Sequence, residues 1–308
     1  MNFTNYKISV ITATFNSQAT IKQTLDSITS QDYLNIEHII VDGNSGDNTL
    51  KIIESYKPIY EEKNIKLVVS SKKDLGIYDA FNRGVELSSG DLIGFLNSDD
   101  FFAKNNILST INWAFNKPGN KKVETISANL EYIDSSYQII RKLKGRSISK
   151  KDFKKGFHPA HPTFYARKEI FSKYGKFDLS YQIAGDYELM LRFLVKHNIN
   201  NLYINDNFVK MKIGGVSNQN LKNIYKANVE CFRAWKENNL VISPLFIFTK
   251  PLKKIKEINV IKYIKYMISK TKGGAASYLL VLLNPLYLCK YKTHPKPLRI
   301  LSHFGVLV

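Results

Sequence analysis

With 308 residues, 44% of them hydrophobic and 23% charged, the chain has room for one large α/β domain and a smaller appendage, and its composition leaves little place for disorder. Its 45 Lys+Arg against 26 Asp+Glu, a formal +19, favour anionic partners such as nucleic acid, nucleotide phosphates or acidic lipid. Cys231 and Cys289, its two cysteines, show no CxxC or Cys/His spacing, so neither a disulfide framework nor a zinc site is indicated, and a reducing cytoplasm fits best.

The polar Met1–Lys7 segment leads straight into an apolar strand too short for a signal peptide, so no export signal is expected. Ile8–Ala13 is β-branched and ends at Asn16-Ser17, after which Ile21, Leu25 and Ile28 fall at helical spacing. The same alternation recurs. His38–Val41 predicts a strand stopping at Asp42-Gly43, Leu50–Ile53 a helix, Ile65–Val69 a strand and Tyr78–Leu87 a helix. Leu92–Leu96 is a fourth strand, ending in Asn97-Ser98-Asp99-Asp100. Short apolar strands alternating with helices imply a mainly parallel sheet covered on both faces, with ligands beyond the carboxyl ends of its strands. Three polar clusters, Thr14–Asn16, Asp42–Asp47 and Asn97–Asp100, each begin where a predicted strand stops and should converge on one crevice.

Farther on, a helix is expected over Ile107–Phe115 and strands near Thr125–Asn129 and Ser136–Leu143. Arg141, Lys142, Lys144, Arg146, Lys150, Lys151, Lys154 and Lys155 read as a solvated loop. His158–Thr163 follows, then a helix near Arg167–Tyr174, and Ile183–Glu188 opens an apolar helix running to Val195. Gly214–Asn218 reads as a turn or a mobile loop, and Leu221–Glu237 as a helix.

The tail, Lys250–Val308, holds twelve Lys/Arg and one acid, Glu257. Ile255, Ile258, Ile261, Ile264 and Met267 recur every third residue among lysines, and the apolar run Tyr278–Cys289 is too short to span a bilayer. Such a basic, aromatic-flanked pattern suits an anionic membrane surface, the alternative being a helix packed on the first domain.

The chemistry concentrates at strand ends. Adjacent carboxylates such as Asp99 and Asp100 repel unless a cation or hydrogen-bond donors offset them, and hard oxygen ligands suit Mg²⁺ or Mn²⁺ beside phosphates. Val10–Asn16, Val41–Asp47, Gly76–Gly84, Gly90–Asp100 and Ala184–Glu188 together resemble the motifs of family 2 glycosyltransferases of the GT-A fold, in order, over roughly residues 6 to 215.

That resemblance implies an inverting transfer from a nucleoside-diphosphate sugar to a glycan or lipid-linked acceptor, of the bacterial cell-envelope type, with a divalent metal and mild preference for UDP. It implies a catalytic domain over 1–220, with a nucleotide-binding half at 1–104 and an acceptor half at 105–220. A helical basic region at 221–308 would dock it on the inner face of the cell membrane. Asp42, Thr14 and Asn16 would then meet the nucleotide, Arg83 would face the donor, and Asp99 and Asp100 would bear the metal and the ribose or sugar. Asp186 resembles the base that deprotonates the acceptor hydroxyl, with Glu188 in reserve and a plain helix cap as the bland alternative for Asp186. His161 would lie beside the phosphate or metal. Asn97 stands where an Asp-x-Asp motif would have its first acid, so tight metal binding without donor is not expected.

Two other readings compete. A sugar nucleotidyltransferase would carry a glycine-rich, basic phosphate loop where Thr14-Phe15-Asn16-Ser17 stands. A basic nucleic-acid or membrane-binding protein would need no convergent acids, and no nucleic-acid partner is expected.

Overall fold

A computed structural model describes residues 3–119, 122–212 and 221–243. The Gly214–Asn218 segment, Cys289 and the whole basic tail lie outside those residues.

Ile8–Thr14 forms β1 and Ile36–Asp42 forms β2, each with all seven residues buried, as expected for strands covered on both sides. Their side chains alternate between two cores. Ile8, Val10, Ile36 and Ile40 enter one; Ile11, Ala13, Ile39 and Val41 enter the other. Helices α1 (Ile21–Thr29), α2 (Thr49–Ser55), α3 (Lys57–Glu62) and α5 (Ile107–Phe115) contribute to the first core. The second takes α4 (Ile77–Leu87), α7 (Lys168–Tyr174), α8 (Gly185–Leu191) and α9 (Leu221–Glu237). Helix α9, assigned from sequence to the C-terminal region, buries Cys231, Ala234 and Trp235 there.

Strands β3 (Lys66–Ser71), β4 (Leu92–Phe95), β5 (Asp100–Phe102), β6 (Thr125–Ile133), β7 (Ile139–Leu143), β8 (Tyr165–Arg167) and β9 (Asn201–Lys212) complete one sheet. Its order is β3-β2-β1-β4-β8-β6-β9-β5, with β7 added on β6. The first four strands are parallel, as read from the sequence. Beyond β4 the sheet is mixed, because β8 runs antiparallel to both β4 and β6. Strands β5, β8 and β9 carry no apolar alternation strong enough to announce themselves.

Arg141 and Lys142 lie in β7, within the strand expected near Ser136–Leu143, and Lys142 pairs with Glu131 at 3.1 Å. The loop reading of the basic segment is corrected farther on, at Lys150–Lys154. A capping box between Ser149 and Asp152 then starts α6 (Lys150–Lys154).

Two polar devices tie the parallel strands together. Thr12 donates to the Leu96 carbonyl and so accepts from His38 Nε2 (2.9 Å), which leaves Nδ1 to accept from the Tyr60 hydroxyl (2.6 Å). At the opposite end, buried Glu37 accepts from Ser9, from both Ser89 groups and from the Gly90 N–H, with Lys7 and Lys66 at 3.3 Å.

Candidate active site

In register, Thr14 of β1 stands beside Asp42 of β2, and Asp42 beside Ser71 of β3, so the three parallel strands end on one line. Asp42 is fully buried. Its carboxylate accepts from the Ser45 N–H (2.9 Å), the Ser45 hydroxyl and the Ser71 hydroxyl (2.6 Å). Asn16, in the left-handed region at φ 49°, laces the neighbouring loops: its N–H reaches Ser45 Oγ and its Oδ1 accepts from the Gly46 N–H. Thr14 Oγ1 is buried without a partner.

Arg83 projects from α4 to the Lys72 and Lys73 carbonyls (3.3 and 3.5 Å) and to Asp79 at 3.8 Å. It braces the β3–α4 loop at the rim. Gly84 makes that placement possible, since a Cβ there would come within 2.3 Å of Ile11 Cγ2 on β1.

The third strand end holds the acids. After β4, the Asp100 N–H returns to the Asn97 carbonyl (3.1 Å), and β5 begins at Asp100 itself. Asp100 is fully buried, with one oxygen near Asn97 Nδ2 (3.2 Å) and Oδ1 unpartnered; Asn97 Oδ1 is unpartnered too. Burial, then the charge of Asp99, push the Asp100 carboxyl well above the usual range. Asp99 is only partly buried; burial raises its carboxyl, while Lys212 pulls the other way. A side chain of Ser17, from the first loop, meets Ser98 at 2.8 Å, joining this cluster to the other two.

Among the described residues, no three His, Cys, Asp or Glu side chains come together as a metal cage. The donor set is two carboxylates and the Asn97 amide, all hard oxygens. Both carboxyls are raised by burial, and Asp100, with an orphaned oxygen beside the charge of Asp99, lacks the positive charge that a divalent cation would supply. The residues therefore fit Mg²⁺ or Mn²⁺ with phosphates completing the shell.

His161 and Asp186 lie beside the second core. His161 opens a single 3-10 turn, its ring stacked on Phe95 and flanked by Phe81 and Phe177. Burial lowers its pKa against the opposing pull of Asp186, and its Nε2 has no partner. Helix α8 begins at Gly185 with Ala184 at the cap position, so Asp186 lies in the first turn and is not the cap. It is half-buried, its Oδ1 accepts from the Tyr187 N–H (2.8 Å), and no ion pair engages it among the described residues.

Glu188, the reserve candidate, is engaged by other side chains. Its two oxygens take Arg192 Nε and Nη2 at 2.9 Å each, and Asn238 Nδ2 adds a third bond at 3.0 Å. Sequence reasoning also missed two groups that hold α8. The Tyr78 hydroxyl accepts from the Gly185 N–H (2.9 Å) and donates to the Ile183 carbonyl (2.8 Å). Glu230 of α9 accepts from the N–H groups of Gln182, Ile183 and Ala184. A tyrosine at the start of one helix and a glutamate on another give no local signal of this.

Residues 9–175 match Glycosyl transferase family 2. The chain belongs to that family. It is 29% identical over 190 residues to a PGL/p-HBAD biosynthesis glycosyltransferase of Mycobacterium bovis, covering 60% of this chain and 68% of the relative. A GalNAc(5)-diNAcBac-PP-undecaprenol beta-1,3-glucosyltransferase of Campylobacter jejuni is 29% identical over 160 residues, and this match spans 48% of the transferase and about half (47%) of that relative. In fold it resembles S. aureus TarS 1-349 in complex with UDP-GlcNAc (TM-score 0.55, 20% identity, 76% of this chain and 68% of that one). It also resembles the mannosyltransferase PcManGT of Pyrobaculum calidifontis in complex with GDP-Man and Mn²⁺ (TM-score 0.57, 14% identity, 97% and 84%). The chain is thus a glycosyltransferase with the GT-A fold, and neither the nucleotidyltransferase nor the nucleic-acid-binding reading is favoured.

Proposed function

We propose that this enzyme inverts the anomeric centre of a nucleoside-diphosphate sugar while transferring it to a hydroxyl of a glycan or lipid-linked acceptor. The observation that carries this reading is Asp186: half-buried, fixed in the first turn of α8 and free of any ion pair among the described residues, while Glu188 beside it is consumed. A carboxylate so held can accept the proton of an attacking hydroxyl. As the acceptor oxygen bonds to the anomeric carbon, the bond to the diphosphate breaks, and a single displacement inverts the centre.

Thr14, Asn16 and Asp42 form the nucleotide end of the crevice, Arg83 braces its rim, and neutral His161 lies between Asp186 and the β4 end. Asp99, the accessible acid of the pair, is the metal ligand in this reading; buried Asp100 backs the turn that presents it. A divalent cation there would neutralise charge developing on the leaving diphosphate. The undecaprenol-linked name of the Campylobacter relative supports a lipid-linked acceptor, and the basic tail supports peripheral attachment at the inner face of the cell membrane. Among the described residues, no helix is long and apolar enough to cross a membrane.

The test is the melting temperature with UDP, GDP, dTDP and CMP, each with and without Mn²⁺. One nucleotide should raise it by several degrees with metal, and Asp42→Ala and Asp99→Ala should abolish the rise. Asp186→Asn should keep nucleotide binding and lower turnover by about 10²- to 10⁴-fold. A fully active Asp186→Asn enzyme would remove the base from this scheme.

A further inference from the structure

Helix α8 has no capping side chain at its cap position. Its cap position is Ala184, which has no side-chain acceptor, and Gly185 follows, so the N–H groups at its entry need partners from elsewhere. They find them far away in sequence. The Gly185 N–H goes to the Tyr78 hydroxyl, and those of Gln182 (3.2 Å), Ile183 (2.9 Å) and Ala184 (2.8 Å) all go to the Glu230 carboxylate. Gly185 lets the Tyr78 ring come this close, because a Cβ there would lie 2.8 Å from it.

Glu230 is 6% exposed. A carboxylate brought that far from water is costly unless donors surround it, and three successive N–H groups of the segment leading into α8 supply them as charge-assisted bonds. Neighbouring contacts on α9 support the same loop: Lys226 reaches the Gln182 side chain, and Arg233 meets Ser180 Oγ at 3.0 Å. Two residues after the clamped segment comes Asp186.

We infer that Glu230 is a positioning residue for Asp186: by gathering the Gln182–Ala184 amides it sets the start of α8 and therefore the place of the base. Helix α9 is then part of the working site, although it lies outside the segment that matches the family. The inference rests on Asp186 as the base. Displacing a catalytic group by about 1 Å can cost about 10²-fold in rate, so loosening this clamp acts on turnover without touching the nucleotide end.

The experiment uses the full chain as wild type, Glu230→Gln, Asp186→Asn and the double variant. Turnover is read as nucleoside diphosphate released from UDP-GlcNAc or GDP-mannose, whichever nucleotide the protein binds. Amide exchange is followed over 182–187. Glu230→Gln should speed exchange there, lower kcat about tenfold or more, leave the nucleotide Kd within about twofold, and add nothing to the loss in Asp186→Asn. Unchanged exchange, unchanged kcat, or an equal further loss in the Asp186→Asn background would overturn it. An active Asp186→Asn with a slow Glu230→Gln would instead sink the base assignment and this inference with it. If Glu230→Gln does not melt cooperatively, Tyr78→Phe decides, since it removes only the hydroxyl on Gly185: a lowered kcat at constant Kd supports the clamp, and an unchanged kcat refutes it.

Discussion

Asp186 and Glu188 are two residues apart on one short helix, and nothing in their sequence neighbourhood says which is free to take a proton. The distinction lies in partners, because Arg192 and Asn238 converge on Glu188 alone. Removing a buried charge partner leaves the other charge stranded, so Glu188→Ala should cost about 3 kcal/mol, seen as a melting shift of several degrees. If Glu188→Ala instead leaves the melting point untouched, its assignment as a structural group is wrong. His38 offers a second residue-scale test. Burial lowers its pKa to about 3 from an ordinary 6.5, so between those values the unfolded chain binds a proton that the folded chain refuses. Stability from this source is complete above pH 6.5 and falls as the pH drops toward 3. Going from pH 7.5 to 5 should lose about 2 kcal/mol through His38, and His38→Gln, measured by urea melts at both values, should lose that much less. Equal losses in the two proteins would show that His38 does not set the acid limb.

Elements were legible where burial is two-sided. Strands β1, β2 and β4 and helices α1, α4 and α5 lie where their apolar spacing puts them, because each must fill a core that admits one period. Three-residue β5 and β8 are too short to show a period, and half-exposed β9 alternates polar with apolar only loosely. The site was legible for the same reason as the parallel strands: acids placed just past a buried run must sit at a carboxyl end. What was not legible is how long-range contacts employ each acid, as with Asp100, which starts a strand and is wholly enclosed. The packing of α4 on β1 gives the element-scale prediction. Gly84→Ala would press a methyl into Ile11, at an expected cost of about 1–3 kcal/mol. Because Arg83 rides on the same helix, nucleotide binding should weaken together with stability, and Ile11→Ala should relieve part of both. Full nucleotide affinity in a destabilised Gly84→Ala protein would mean that α4 does not transmit its position to the rim.

At the scale of the whole molecule, the +19 charge and the proposed site must be reconciled, since the candidate residues Asp42, Asp99, Asp100 and Asp186 are acids. Twelve of the 45 basic residues lie in Lys250–Val308 against one acid, and eight more lie between Arg141 and Lys155. Such clustering has little use for a small anionic donor, which a few groups can hold, but it suits a surface of many negative charges. An enzyme whose acceptor is anchored in a bilayer gains by staying at that bilayer, where its acceptor is concentrated. The full chain should therefore sediment with vesicles containing anionic phosphatidylglycerol and stay in solution with purely zwitterionic ones. Each basic group near the surface contributes about 1 kcal/mol, and the attraction decays over a Debye length of about 8 Å at physiological salt. Raising salt to about 1 M, where that length is about 3 Å, should release most of the bound protein. Binding that ignores salt would point to apolar insertion of the Tyr278–Cys289 run, and failure to bind either vesicle would turn the basic segments toward an acidic soluble glycan as the acceptor.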